Sequence, residues 1–303
     1  MVNNSFWTPY LIAAGKKAYK ELSKIYGSEF ACQPISQGAG GDITAKIDQI
    51  AEDIIIKELE KIGKPFVMIS EEIGIYNWDG QKRTFIQDLR QISLSEYPSS
   101  YIILDPVDGS SNAIRGIPFS CVSIAVAKEP RISQIEVGVL ISLQTGDEYV
   151  AEKGKGSFLN GKPLHCSSIS DISQAFMGTD LDSSEKCKEL IVENENLFRA
   201  VSKRRILGSC ALELGFIANG NMDLYFDVRG VLRIIDFAAG LLILSEAGGF
   251  LLDATGAPLS DQIFTLQTGF DLIAGCPGLL PIMKDLLHHN PIIYDKKNEM
   301  EKI

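Results

Sequence analysis

The chain has 303 residues, 45% of them hydrophobic and 22% charged, and its 39 acidic against 29 basic side chains leave a net charge of −10. These values fit a soluble globular chain with one large or two modest cores, and they argue against general nucleic-acid binding. The apolar runs are too short to span a bilayer, and 3 histidines with 6 scattered cysteines supply no zinc spacing.

The amino-terminal stretch lacks a basic segment followed by an apolar run and a cleavage site. A cytoplasmic chain with free thiols is therefore expected. Apolar residues at helical spacing (Phe6, Tyr10, Ile12, Ala13, Tyr19, Leu22, Ile25) predict a helix over 6–27. CQPISQGAGGD, residues 32–42, reads as an irregular glycine-rich loop, mobile enough to close over a site. It lacks GxGxxG and no buried strand precedes it, so a dinucleotide loop is excluded. A second helical face runs over 43–62 and stops at Gly63 and Pro65. FVMIS then forms a buried strand that delivers Glu71 and Glu72.

The stretch 77–100 is expected as a hairpin or loop excursion, before the strand YIIL and Asp105. FSCVSIAVA, SQIEVGVLIS and EYVAEKGKGSFLNGKPL alternate in polarity and turn at glycines, which predicts an antiparallel sheet. Beyond LDSSE the pattern becomes α/β: a polar helix over 185–198, a strand at 205–207, a helix over 210–218 and the strand LYFDV. A long apolar helix over 235–247, the strands GFLLD and DLIAG, and a helix after Pro277 complete it. The expected division is an α+β half at 1–182, carrying most of the candidate ligands, and an α/β half at 183–303.

Residues 105–112 read DPVDGSSN. A sheet fixes Asp105, Pro106 turns the chain, and Asp108 returns with the Val107 carbonyl between the two acids. Gly109 permits a tight turn, and Ser110, Ser111 and Asn112 offer hydroxyls and a helix cap. Alone this is as consistent with a surface turn as with a site. Glu71 at another strand end and Asp236 at the start of the apolar helix tip the balance. With almost no histidine, these acids suit an oxygen-ligated Mg²⁺ cluster of the kind phosphoryl transfer uses.

Together these residues resemble the inositol monophosphatase superfamily, whose signatures are DPxDGTxN and WDxAAGxxIxxEAGG. Here they read DPVDGSSN and IIDFAAGLLILSEAGG, with the family's DxxTxxD element matched by Asp42-Ile43-Thr44-Ala45-Lys46-Ile47-Asp48, its threonine one place earlier, and the acidic pair by Glu71-Glu72. The resemblance implies a layered αβαβα sandwich and a Mg²⁺-dependent phosphatase. It makes Glu71, Asp105 and the Val107 carbonyl ligands of one ion, and Asp105, Asp108 and Asp236 ligands of a second, with a third ion near Glu71 typical of the family. Ser110 stands where the family has threonine and, with Asp48, would position the attacking water; Glu71, Ser110 and Asp48 are the expected catalytic residues. Amides around Gly109, Ser110 and Ser111 would bind phosphate, and Ile235 replaces the signature tryptophan.

NAIRGIPFS, RRILGSCALEL and FDVRGVLRIID resemble the archaeal type, which acts on fructose 1,6-bisphosphate and inositol monophosphate. A second phosphate requires cations away from the metals: Arg115, Lys203, Arg204, Arg205, Arg229 and Arg233 are the candidates. Asp227 matches an acid that contacts sugar hydroxyls, although it stands further from Asp236 than in the family. The expected partner is a phosphorylated small molecule rather than nucleic acid or membrane, and the expected assembly a homodimer. The competing readings are a nucleotide 3′-phosphate phosphatase and a non-catalytic regulatory binder on the same fold.

Overall fold

The structure, a computed structural model, describes residues 5–40, 43–91, 100–181 and 185–289. Asp42, part of the expected loop at 77–100, and most of the LDSSE connector lie outside the described residues.

Helix α1 (Thr8–Leu22) ends earlier than its apolar pattern suggests. The chain leaves the helix to place Gly27 against Gly116, and the Gly27 amide donates to the Ala113 carbonyl at 2.9 Å. The supposedly irregular loop is in part a hairpin: β1 (Pro34–Gln37) pairs antiparallel with β2 (Ile43–Ala45). Ile43 and Thr44, assigned from periodicity to the second helix, are β-branched and extend the chain before α2 (Lys46–Glu60) begins.

Next come β3 (Phe66–Ser70), β4 (Gly74–Trp78), β5 (Arg83–Phe85), β6 (Tyr101–Asp108), α3 (Ser110–Arg115), β7 (Cys121–Ala127) and β8 (Ile135–Ser142). β9 (Glu148–Glu152), β10 (Ser157–Leu159) and β11 (Lys162–Pro163) finish a nine-stranded sheet in the order β11-β10-β9-β8-β7-β6-β3-β4-β5. From β6 to β11 it is antiparallel as expected, but β3 and β6 run parallel.

The sequence reading held no expectation for β12 (Phe176–Thr179). The single polar helix expected at 185–198 is two, α4 (Glu185–Glu193) and α5 (Glu195–Ala200), broken where the Asn194 side chain donates to the Leu190 carbonyl. The next strand, β13 (Lys203–Arg205), lies earlier than expected. α6 (Cys210–Ala218), β14 (Leu224–Leu232), α7 (Ile234–Glu246), β15 (Phe250–Leu252), β16 (Phe270–Gly275) and α8 (Leu280–His289) follow. The second sheet has the order β13-β12-β14-β16-β15.

Three hydrophobic clusters stack these elements into an αβαβα sandwich. α1 and α2 cover one face of the large sheet. α6 and α7 fill the space between the two sheets, where α7 is apolar on nearly every side because sheets cover it from both directions. α4, α5 and α8 close the far face of the small sheet. The central cluster draws on residues from Val67 to Ala274. No helix among the described residues is long and apolar enough to cross a membrane.

Register positions the site. Ser70 of β3 pairs in parallel with Leu104 of β6, so the next residues, Glu71 and Asp105, stand side by side where β3 ends and β6 continues. The amino-terminal ends of α2, α3, α6 and α7 supply the other site residues, and helix starts favour negative charge nearby.

Candidate active site

The DPVDGSSN turn begins inside a strand rather than after one. Asp105 pairs with Ser123 and Asp108 with Cys121, so β6 carries one more residue than β7 between these pairs. This is a bulge, and it accommodates Pro106, which has no ladder N–H to give. The expectation that the strand stops at Asp105 is corrected accordingly: it runs on to Asp108. Asp105 Oδ1 accepts from the Val107 amide at 3.0 Å. Gly109, at φ +87°, turns the chain into α3; a Cβ there would lie 3.0 Å from the Phe119 carbonyl and 3.1 Å from that of Gly208.

Asp48 and Asp236 occupy the same local position, the third residue of a helix, and each reaches back to the amide before that helix. Asp48 Oδ2 accepts from Ala45 N at 3.1 Å, and Asp236 Oδ2 from Arg233 N at 2.7 Å. The Ser110 hydroxyl lies 2.5 Å from Asp48 Oδ1 and 2.8 Å from the Val107 carbonyl, with one proton to give to either. Asp108 Oδ2 accepts from Ser209 Oγ at 2.6 Å and from the Ala211 amide at 2.8 Å. Arg233 joins the two halves of the chain: its Nη2 donates to Glu71 Oε1 at 2.6 Å and to Asp236 Oδ1 at 3.1 Å.

Burial and mutual repulsion make these acids hard to ionise. Glu71 is pushed up to about 7 by burial, against Arg233, with Asp236 and Glu72 adding repulsion. Burial also lifts Asp108 to about 7, against the Ser209 hydrogen bond and with repulsion from Asp236. Asp105 is raised well above the carboxylate range by burial and by Glu71, Asp108 and Asp236. Asp48 is pushed up to about 6, again chiefly by burial. Such a cluster needs positive charge to stay ionised.

Among the described residues, no three His, Cys, Asp or Glu side chains stand at metal-binding geometry. The cause is local. The Arg233 guanidinium lies between Glu71 and Asp236, and one oxygen of Asp108 is held by Ser209 and Ala211. The donor set nevertheless fits a hard divalent cation: it consists of desolvated carboxylates and a carbonyl, without nitrogen or sulfur.

Beside these acids opens a cavity of about 480 Å³ whose lining includes Gly40, Asp108, Asp180, Ser209, Glu213 and Arg229. Arg233 and Asp236 also line it. Arg115 and the three cations of β13 lie elsewhere. Arg115 is exposed at the end of α3. Lys203, Arg204 and Arg205 form the exposed edge strand β13, where Arg204 donates to the Phe198 carbonyl and Arg205 stacks over Phe176. Arg229 does line the cavity but is paired with Asp227 at 2.7 Å and with Asp180 at 2.7 Å. Asp227 is fully buried against that guanidinium and does not line the cavity.

Two turn residues act differently from expectation. Ser111 is exposed. Asn112 caps no helix; its Nδ2 donates to the Phe119 and Leu207 carbonyls at 2.7 and 2.6 Å, tying the turn to the segment before α6. The glycine loop is anchored through the Ala39 and Gly40 amides, which donate to the Glu72 and Glu71 carbonyls at 3.0 and 2.8 Å. Its glycine at position 40 is needed for close approach, since a Cβ would lie 2.4 Å from Arg233 Nη1.

Sequence reasoning missed Ser209, Asp180, Glu52 and Glu213. A serine before a helix looks like a cap, yet Ser209 makes no cap bond and turns to Asp108. Glu52 accepts from Ser70 and from the Ile73 amide, fixing the strand end that presents Glu71. Its signal was an acid on the apolar face of α2.

A layered sandwich with clustered acids at strand ends and helix starts belongs to the sugar-phosphatase class. The chain belongs to the inositol monophosphatase family, which it matches over residues 3–287, and it is a phosphatase. It is 33% identical over 275 residues to a fructose-1,6-bisphosphatase/inositol-1-monophosphatase of Methanothermobacter thermautotrophicus, covering 89% of this chain and 91% of that one. A bifunctional NADP phosphatase/NAD kinase of Methanococcus maripaludis is 32% identical over 259 residues, 80% of this chain but 42% of the relative. A crystal structure of an inositol monophosphatase–fructose 1,6-bisphosphatase superposes with a TM-score of 0.76 at 27% identity, covering 93% of this chain and all of the other.

Proposed function

We propose that the chain hydrolyses a phosphomonoester of a sugar or cyclitol, with fructose 1,6-bisphosphate and inositol 1-phosphate the first substrates to test. One observation carries the reading: the Asp48–Ser110–Val107 hydrogen-bonded group stands beside the buried acids Asp105 and Asp108 and the largely buried Glu71 and Asp236. The relatives named above support the substrate class.

Glu71, Asp105, Asp108, Asp236 and the Val107 carbonyl would hold Mg²⁺, which would offset phosphate charge and polarise the phosphoryl group. Ser110 orients the attacking water and passes its proton to Asp48, whose raised affinity for a proton, about 6, suits a base. The amides of Ser110 and Ser111, at the start of α3, have no helical partner of their own and would donate to the phosphate. As water adds to phosphorus the ester P–O bond breaks, and the leaving oxygen takes up a proton.

The NADP phosphatase relative favours a second reading, a phosphorylated nucleotide. Phosphate release from a panel of fructose 1,6-bisphosphate, inositol 1-phosphate, NADP and a nucleotide 3′-phosphate, each with Mg²⁺, separates the two. Turnover of NADP or the 3′-phosphate alone would replace the first reading with the second. No release from any of them would favour a binding role.

A further inference from the structure

Glu213 is a buried acid that the hydrolytic machinery does not use. It sits in the first turn of α6, 1% exposed, inside the otherwise apolar segment CALELGFIA. Its Oε1 is shielded from solvent and has no hydrogen-bond partner, although buried carboxylate oxygens ordinarily find one. The residue nonetheless lines the cavity beside Asp108 and Asp236. The fold makes room for it: a Cβ on Gly178 of β12 would lie 3.1 Å from both Cδ and Oε1 of Glu213.

We propose that Glu213 is a specificity-determining residue that hydrogen-bonds a hydroxyl of the leaving group, selecting phosphomonoesters of polyols. The inference rests on the phosphatase reading above. The missing partner can donate or accept, because burial first, and then repulsion from neighbouring acids, holds this carboxyl well above the usual carboxylate range and favours its protonated form. It is not an anion, since Asp108, Asp180 and Asp227 all bear repulsively on this carboxyl. A cationic group is poorly suited too, since the Arg229 guanidinium already fills the cationic position between Asp180 and Asp227 on the same wall. A neutral hydroxyl satisfies both conditions, and a ring bearing several hydroxyls presents one whichever way its phosphate is seated. A site built to pair with a hydroxyl also rejects analogues that lack it, because the buried group then stays unpaired.

The test compares kcat/KM for inositol 1-phosphate and fructose 1,6-bisphosphate with that for 4-nitrophenyl phosphate, all with Mg²⁺. Wild type, Glu213→Ala and Glu213→Gln are measured, and folding of each is checked by thermal melting. In Glu213→Ala the polyol-to-aryl ratio should fall about tenfold or more, mainly through KM. Glu213→Gln, which keeps a carbonyl oxygen in place, should recover most of that ratio. Equal losses on polyol and aryl substrates, or an unchanged ratio, would overturn the proposal and leave Glu213 a packing residue. Should Glu213→Ala fail to fold, deoxy analogues of the polyol phosphate on the wild-type chain decide: no analogue discriminated against overturns it. A wild-type chain that hydrolyses only the aryl phosphate overturns the substrate reading as well, and so fails differently.

Discussion

Arg233 holds Glu71 and Asp236 together, at 2.6 and 3.1 Å, although Glu71 lies 162 residues away in the chain. One guanidinium thus stands where two buried acids would otherwise repel. Arg229 likewise bridges two acids on the adjoining wall, the buried Asp227 and the more exposed Asp180. Each of the cavity's two arginines is therefore engaged by a pair of acids, which is a different task from gripping a distal phosphate.

Replacing Arg233 with Met should expose that repulsion. Removing one partner of a largely buried pair costs about 3 kcal/mol. In chelator, urea unfolding of Arg233→Met should show a loss of that order against wild type. Added Mg²⁺ should return part of it, because a cation between the same carboxylates relieves the same repulsion. Equal stability of the two proteins in chelator would refute the bridging role.

Acidity should stabilise the metal-free protein. Glu71 and Asp108 titrate near 7 and Asp48 near 6 in the folded chain, against 4.5, 3.8 and 3.8 for the free side chains. Between about pH 4 and 7 the folded state then binds more protons than the unfolded state, and stability falls as pH rises through that window. In chelator, Tm should climb as pH is lowered from 8 to 5. With saturating Mg²⁺, which requires ionised ligands, the trend should flatten or reverse. A metal-free Tm that rises from pH 5 to 8 would contradict these proton affinities.

The acids were legible in the sequence because each sits beside local punctuation: a strand end at Glu71, a proline-glycine turn at Asp105 and Asp108, a helix start at Asp48 and Asp236. The layered α/β second half followed from alternating patterns in the same way. Ion-pair partners were not legible. Arg233 and Arg229 look like solvated or phosphate-binding cations until β3, β14 and α7 are brought together. Glu213 was hidden for another reason: within CALELGFIA it reads as one polar residue in a core helix. The β1–β2 hairpin was lost because Ile43 and Thr44 also satisfy the helical period of α2.

Asp108→Asn should remove most turnover. It deletes one charge from the acid cluster while keeping the acceptor that Ser209 and Ala211 hold, so the fold should persist. A loss in kcat of about 10²–10³ is expected, because a missing carboxylate weakens the hold on the cation that would offset the developing charge, together with weaker Mg²⁺ binding by calorimetry. Near wild-type activity with Mg²⁺ would remove Asp108 from the ligand set.

Gly109→Ala tests whether the turn's shape, apart from its charges, is required. The residue has φ +87°, where an L side chain is strained, and its Cβ would press on the Phe119 and Gly208 carbonyls at 3.0 and 3.1 Å. Holding a non-glycine residue there costs about 1–3 kcal/mol, so a clear drop in Tm is expected. The chain can escape the contact only by rotating the peptide that separates Asp108 from Ser110. That motion would pull Ser110 from Asp48 and move the first amides of α3. Activity should therefore fall further than the lost stability accounts for, at a temperature where the variant is still fully folded. If Gly109→Ala instead kept wild-type kcat while folded, the Ser110–Asp48 contact would be incidental to turnover, and the water-positioning role assigned to it would have to pass to other residues.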